Sequence, residues 1–275
     1  MAVYDISGNV ISDASGSVID IFKSELRDTA WLHQIASDSD GVCQGACTDG
    51  TYIYYASINA NKLKKYNLQT GEITAVSYTS GLYDHANDMT YNPNTGKIYI
   101  ATMDNDAHIA IVNPSTLEEE SRFSLLGADG NPLPNHGIAY DRINNRYVVA
   151  NATIIEGTYG QRYTVYDDNF NYVKTIVMPA PETHTIQGIE TDGVRIYRAL
   201  WNSAGHIDYV SVYDFDGNYI KTITVPATVE LETLMHDWNG NWYMNFYTGS
   251  GGGCRLCMCG LFTSTPIESI ESIIS

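Results

Sequence analysis

The segment TDGVRIYRA, from Thr191 to Ala199, decides how this chain is read. A tight Asp-Gly turn opens into a strand-like run carrying Tyr197 and Ala199. The same turn and strand occur in TDGTYIYYAS (Thr48 to Ser57), NTGKIYIAT (Asn94 to Thr102), INNRYVVAN (Ile143 to Asn151) and WNGNWYMNF (Trp238 to Phe246). Tyr-x-Ala recurs as Tyr54 with Ala56 and Tyr99 with Ala101; Val148 with Ala150 and Tyr243 with Asn245 are weaker versions. The copies stand about 45 residues apart, room for several short strands per unit.

Turn signals cut each unit into four strands. In the fourth, Ile186 to Thr191 is the inner strand, Val194 to Trp201 the second, Tyr209 to Tyr213 the third and Tyr219 to Val225 the outer one. Asp192-Gly193, Asn202 to Gly205 and Asp216-Gly217-Asn218 connect them. The third unit repeats this design: TVYDDNFNYVKTIVMP (Thr164 to Pro179) matches SVYDFDGNYIKTITVP (Ser211 to Pro226). Four-stranded units at this period predict an all-β fold, a five-bladed β-propeller over residues 41–275. The abundance of Tyr agrees, because Tyr favours pleated, half-buried surfaces.

Residues 1–40 form an N-terminal extension. VYDISGNVI (Val3 to Ile11) echoes VYDFDGNYI (Val212 to Ile220), so it carries a third-and-fourth-strand hairpin without inner strands. Two readings stay open: the hairpin closes the ring on the last blade, or it is an attachment device. Ser269 to Ile274 as the last outer strand favours attachment. Ser12 to Asp40 is then a linker, with a short helix around Val18 to Leu26.

The chain has 32 acidic and 15 basic residues, a formal charge of −17. Such a surface repels phosphate backbones, which argues against nucleic-acid partners. Its plain role is to keep a Tyr-rich surface in solution. No apolar run reaches membrane-spanning length, so membrane insertion is not expected. The start MAVYDISGNV lacks a basic segment followed by an apolar core, so no cleaved signal peptide is expected. Localisation is then a virion or the extracellular space without a cleaved leader, or the cytoplasm if the protein is not phage-derived.

Inner strands of a propeller line a central channel, so equivalent positions form a ring. Alignment of the units brings together Gln44, Asn87, His136, Gln187 and Glu232, each followed by Gly45, Asp88, Gly137, Gly188 and Thr233 respectively. His85, His184 and Glu230 precede the ring, and Asp84 stands beside them. The plain reading is a wet polar lining whose members satisfy one another. The functional reading is a ligand site, with imidazoles and carboxylates suited to a divalent cation such as zinc or manganese.

Five cysteines form two groups, Cys43 with Cys47 and Cys254 with Cys257 and Cys259. First and last blades are neighbours in a closed ring, so the groups can meet around zinc or in a disulfide. Against that, strand alternation points Cys257 and Cys259 to one face and Cys254 to the other. Buried thiols acting as small hydrophobes are the third reading.

CQGACTDGTYIYYA and IQGIETDGVRIYRA resemble the Gln-Gly inner strand and following turn of propeller-type glutaminyl cyclases. The likeness covers these motifs, not the whole chain. It implies the propeller fold and a channel holding a catalytic carboxylate among tryptophans and a basic residue. Trp201 and Trp242 stand on second strands here, and no catalytic set follows by motif. The nine residues MAVYDISGN are similar to the openings of tail-associated proteins from bacteriophages of gut bacteria.

The first functional reading is a non-catalytic recognition propeller on a phage particle. It binds a surface glycan or protein receptor and meets other virion proteins through the N-terminal hairpin. Loops dense in Tyr, Asn, Asp and Gly support it: Tyr78 to Asp88, Ala152 to Tyr163, Trp201 to Tyr209 and Tyr247 to Gly253. The second is a channel-site enzyme, a metal-dependent lyase or hydrolase or a cyclase-like acyl transferase. Glu232 is then the general acid or base, His136 its partner, and Gln44, Asn87 and Gln187 the orienting groups. The third is a structural part of a larger assembly.

Overall fold

A computed structural model describes residues 3–4, 10–12, 25–83, 85–103, 108–155, 158–178, 185–249 and 253–263. Its described secondary structure is all β. Four sheets each run from inner to outer strand in chain order. The first contains Cys43–Thr48, Tyr52–Ser57, Lys62–Asn67 and Ile73–Ser77; the second Asp88–Asn92, Lys97–Ala101, His108–Val112 and Glu119–Ser124. The third contains Gly137–Asp141, Arg146–Ile155, Thr158–Asp167 and Tyr172–Val177; the fourth Thr185–Thr191, Arg195–Asn202, Ile207–Asp214 and Tyr219–Val225. A further sheet contains Glu230–His236, Trp242–Tyr247 and Cys254–Thr263, with Glu25–Asp38 outermost. The inner strands touch one another in cyclic order, the last against the first. The architecture is the propeller type that the repeat predicts.

The repeated turn has a chemical cause. Asp49 Oδ1 accepts the Thr51 and Tyr52 amides at 2.7 Å, and Asp192 Oδ1 accepts those of Val194 and Arg195 at 2.9 and 2.6 Å. The second oxygen of each carboxylate accepts a hydroxyl from the following strand, Tyr54 at 2.8 Å and Tyr197 at 2.7 Å. One Asp thus fixes both the turn and the register of the next strand. Gly50 and Gly193 lie between at φ +88° and +87°, where a side chain is strained.

The ring closes in a way that differs from the sequence reading. Glu25–Asp38 is not a linker but a long strand, antiparallel to Cys254–Thr263 from the Glu25–Thr263 pair to the Asp38–Cys254 pair. It also bridges the outer strand of the fourth sheet at Thr29 and Thr224. The helix expected around residues 18–26 is replaced by strand at its described end, Glu25 and Leu26. Ser269 to Ile274, expected as the outer strand, lie outside the described residues, and their expected place is filled by Glu25–Asp38. The closing strand was hard to read because it is an outer strand with mixed exposure and little apolar alternation. Its end is latched to the first sheet: Asp38 Oδ2 accepts Lys64 Nζ at 2.5 Å and the Tyr55 hydroxyl at 2.8 Å. Val3–Tyr4 and Val10–Ser12 form the expected hairpin, a separate two-stranded sheet.

Ala152 to Tyr163, expected as a loop, is mostly hairpin. Strand pairing continues unbroken from Asn151–Arg162 to Ile155–Thr158. The Tyr-rich composition serves the core more than the loops. Tyr55, Tyr83, Tyr140, Tyr147, Tyr163, Tyr166, Tyr197 and Tyr213 are among the largest fully buried side chains. Between the second and third sheets, Tyr147 stacks on Phe170 at 4.0 Å and Phe123 meets the same ring at 4.6 Å. Such pairs add about 0.5–1.5 kcal/mol each beyond burial alone.

Candidate functional site at the channel mouth

Each inner strand pairs on one side only, so its other edge points amides at the axis. Buried amides need acceptors. The neighbouring sheet supplies them: Thr90 Oγ1 accepts Tyr140 N at 3.1 Å, Asp208 Oδ1 accepts Leu231 N at 3.0 Å, and Glu190 Oε2 accepts His236 N at 3.1 Å.

The hub is dominated by Asp88, which is fully buried. Its Oδ2 accepts Ile138 N at 3.0 Å and Ile189 N at 2.9 Å; its Oδ1 accepts Met89 N at 3.0 Å and Thr233 Oγ1 at 3.3 Å. One carboxyl thereby ties the second, third, fourth and last sheets. The glycines at equivalent positions make room for it. A Cβ on Gly188 would lie 2.8 Å from Asp88 Oδ1, and one on Gly45 would lie 2.6 Å from the Asp88 Cα. Burial pushes the Asp88 carboxyl up to about 8, against four hydrogen bonds that favour the carboxylate.

The expected ring residues stand one position before this hub. Gln44, Asn87, Gln187 and Glu232 are buried, and His136 is half-buried. Asn87 Nδ2 donates to the His136 carbonyl, and Gln187 Nε2 donates to Glu230 Oε1 at 2.8 Å. Glu232 differs from these. Gln44 lies within hydrogen-bonding reach of the Glu232 carboxyl, but neither Glu232 oxygen nor the Gln44 side-chain carbonyl forms a well-made bond among the described residues. Burial holds the Glu232 carboxyl far above the usual carboxylate range, and the charges of Glu230, Cys43 and Asp208 add to the effect. Burial likewise pushes Asp208 up to about 8, with help from Glu230. Glu230 is raised by burial and eased by Gln187.

Asp208 is a member that sequence reasoning missed, because its strand begins at Ile207 rather than Tyr209. Asp88 was passed over as a neighbour of Asn87. Its signal was a charged residue where three other units have glycine.

His85 lies near enough for its charge to act on His136, whose imidazole is held below its ordinary value mainly by burial. His184 and Asp84 lie outside the described residues. Among the described residues, no three His, Cys, Asp or Glu side chains converge in metal-holding geometry. The cysteines do not gather into one cluster either. All five are free and buried, and they belong to three separate cores. Cys257 and Cys259 pack with Trp242, Cys47 packs with Met89, and Cys43 and Cys254 share the seam between first and last sheets. Strand alternation separates them. Burial also holds the Cys47, Cys254 and Cys259 thiols well above their ordinary value. At the seam, the Cys254 thiol donates to Asn245 Oδ1 at 2.9 Å and Cys43 to the Phe246 carbonyl at 3.1 Å.

The far ends of the inner strands carry different chemistry. The Arg142 guanidinium lies 5.5 Å from the Trp238 ring and 6.0 Å from that of Tyr91. Glu190, pushed up to about 8 by burial, and His236, held down to about 4 by burial, lie close by.

These shifts set a pH dependence. Asp88, Glu190, Asp208 and Glu232 hold protons in the folded state that the unfolded chain has released above about pH 4. Stability therefore falls as pH rises from the unfolded carboxyl values of about 4 towards the raised folded values. His236, held down to about 4, and His136, also lowered, act oppositely below the unfolded value of 6.5, but they are two groups against four. Calorimetry should find a lower Tm at pH 8 than at pH 5.5. A Tm that rises across this interval would contradict the assignment.

The sequence matches no protein-family model and no curated protein. The fold is similar to that of Myxococcus xanthus glutaminyl cyclase, with a TM-score of 0.56 and 13% identity over 86% of this chain and 97% of that one. A luciferin-regenerating enzyme gives a TM-score of 0.53 and 10% identity over 86% of this chain and 97% of that one. The calcium-binding protein regucalcin from Agrobacterium tumefaciens gives 0.50 and 13%, over 89% and 96%. Identities this low carry the architecture and no chemistry: the chain has a propeller-type fold similar to those of both enzymes and a binding protein.

Proposed function

We propose that this propeller is a non-catalytic recognition module that takes a hydroxyl-rich ligand, a glycan, at the channel mouth around Gln44 and Glu232. One observation carries the reading. Buried Glu232 and Gln44 have each other within hydrogen-bonding reach, and their three oxygens form no well-made bond among the described residues. An unsatisfied buried acceptor costs about 1–3 kcal/mol, so the site gains from a ligand that brings donors. Burial favours the neutral form of the Glu232 carboxyl, which both donates and accepts. A sugar hydroxyl does the same. The likeness of MAVYDISGN to phage tail-associated proteins supports a virion setting. In that setting, the Val3–Ser12 hairpin is the contact with other virion proteins.

The test is a printed panel of host and bacterial-surface oligosaccharides, followed by calorimetry on the best binder. Glu232→Gln should keep affinity within about threefold, since an amide also donates and accepts. Glu232→Leu should lose about tenfold or more, roughly one hydrogen bond. A blank panel, or full affinity in Glu232→Leu, would sink the reading. One feature favours a second reading: a buried, protonated carboxyl is also suited to general-acid chemistry. Turnover of a bound oligosaccharide that Glu232→Gln abolishes without loss of binding would establish that enzyme reading instead.

A further inference from the structure

Arg198 is fully buried, and no larger side chain in the described residues is so enclosed. It stands on the second strand of the fourth sheet, opposite Ile189 on one side and Ser211 on the other. The corresponding positions in the other sheets hold Tyr55, Ile100, Val149 and Met244, paired with Ala46, Met89, Ile138 and Leu234. A cation has thus replaced an apolar or phenolic side chain at one of five equivalent interior sites.

The surroundings do not neutralise it. Nη2 donates to the Tyr213 hydroxyl at 2.7 Å, and the Tyr213 ring lies 4.9 Å from the guanidinium carbon. Nε and Nη1 form no well-made hydrogen bond among the described residues, and the buried Tyr163 hydroxyl lies within hydrogen-bonding reach of the guanidinium and feels its charge. Three other cations of the third and fourth sheets have carboxylates: Arg146 with Asp141 at 2.7 Å, Lys174 with Asp216 at 3.5 Å, and Arg195 with Asp192 at 3.2 Å. Arg198 forms no ion pair among the described residues. A buried charge without a counter-charge costs several kcal/mol. Tyr163 and Tyr213 belong to the packed core between third and fourth sheets, which leaves little room for a large ligand.

We propose that this interface holds a small monovalent anion of the halide class, bound by the Arg198 guanidinium with the Tyr163 hydroxyl. One negative charge balances the guanidinium, and the unmatched groups there are donors, as an anion requires. The anion is a structural ligand that joins two sheets, separate from the channel mouth.

The experiment is thermal unfolding of the full chain in sodium chloride against sodium gluconate at constant ionic strength. A ligand that binds only the folded state stabilises it by about 1.4 kcal/mol per tenfold excess over its dissociation constant. For a domain of this size, that predicts a Tm rise of about 4 °C per tenfold chloride. Arg198→Met should abolish the chloride dependence, and Tyr163→Phe should weaken it. If Arg198→Met fails to fold, Tyr163→Phe and the wild-type comparison still decide. A crystal soaked in bromide should show an anomalous peak beside Arg198. Equal Tm values in both salts, no bromide peak, or a chloride effect unchanged in the variants would each overturn the proposal.

Discussion

Removal of residues 1–38 is expected to abolish cooperative unfolding, whereas removal of residues 1–13 should leave Tm within about 1 °C of the full chain. The contrast follows from where each segment pairs. Val3–Tyr4 bonds with Val10–Ser12 and with no other described strand. Glu25–Asp38 completes the last sheet along the whole of Cys254–Thr263. Without it, that strand becomes a bare edge, and Lys64, only 2% exposed, loses the closer of its two carboxylates. The Lys221 bond to the Leu26 carbonyl and the Arg27 bond to the Phe262 carbonyl go as well. Exposure of the apolar side of Cys254–Thr263 adds to these lost bonds, against a typical total stability of only about 5–15 kcal/mol. Circular dichroism melts of the two truncations check this. A sigmoidal transition near the full-chain Tm in the longer truncation would show that the ring does not need its closing strand. The shorter truncation also serves the proposed virion contact, since it should lose assembly while keeping the fold.

Asp88→Ala should cost about 3–5 kcal/mol, and Asp88→Asn about 1 kcal/mol. Alanine leaves the Ile138, Ile189 and Met89 amides facing the axis without their acceptor. Asparagine can place its carbonyl at the Oδ2 position, which keeps the bonds from Ile138 and Ile189. Its amide group can donate to Thr233 Oγ1, so only the Met89 bond is lost. At about 2–4 °C per kcal/mol for a chain of this size, the alanine variant should melt on the order of 10 °C lower. Two variants of similar stability would mean that Asp88 acts through volume rather than through its acceptors.

What the sequence made legible was what repetition carries. Asp49 and Asp192 each fix a turn and a tyrosine register, so their motifs announce the unit and its strand order. Gln44, Asn87, His136, Gln187 and Glu232 fall on one level because inner strands share one geometry. Glu25–Asp38 was lost because ring closure sets strands far apart in sequence side by side, and an outer strand has no clean alternation to betray it. Asp208 was lost by a strand boundary one or two residues out of place. The cysteines misled through proximity in sequence: neighbours along a strand face opposite ways, and the five thiols end in different cores. Arg198 was visible in TDGVRIYRA from the outset, but only its pairing partners reveal that it sits where the other units are not charged.

The tie that Asp88 makes across the axis has a consequence for transport. A passage lined by separate blades would let ions or solvent travel from one end of the toroid to the other. Here the fully buried Asp88 bonds across the axis to three other sheets, so it narrows any passage between the end bearing Glu232 and the end bearing Arg142.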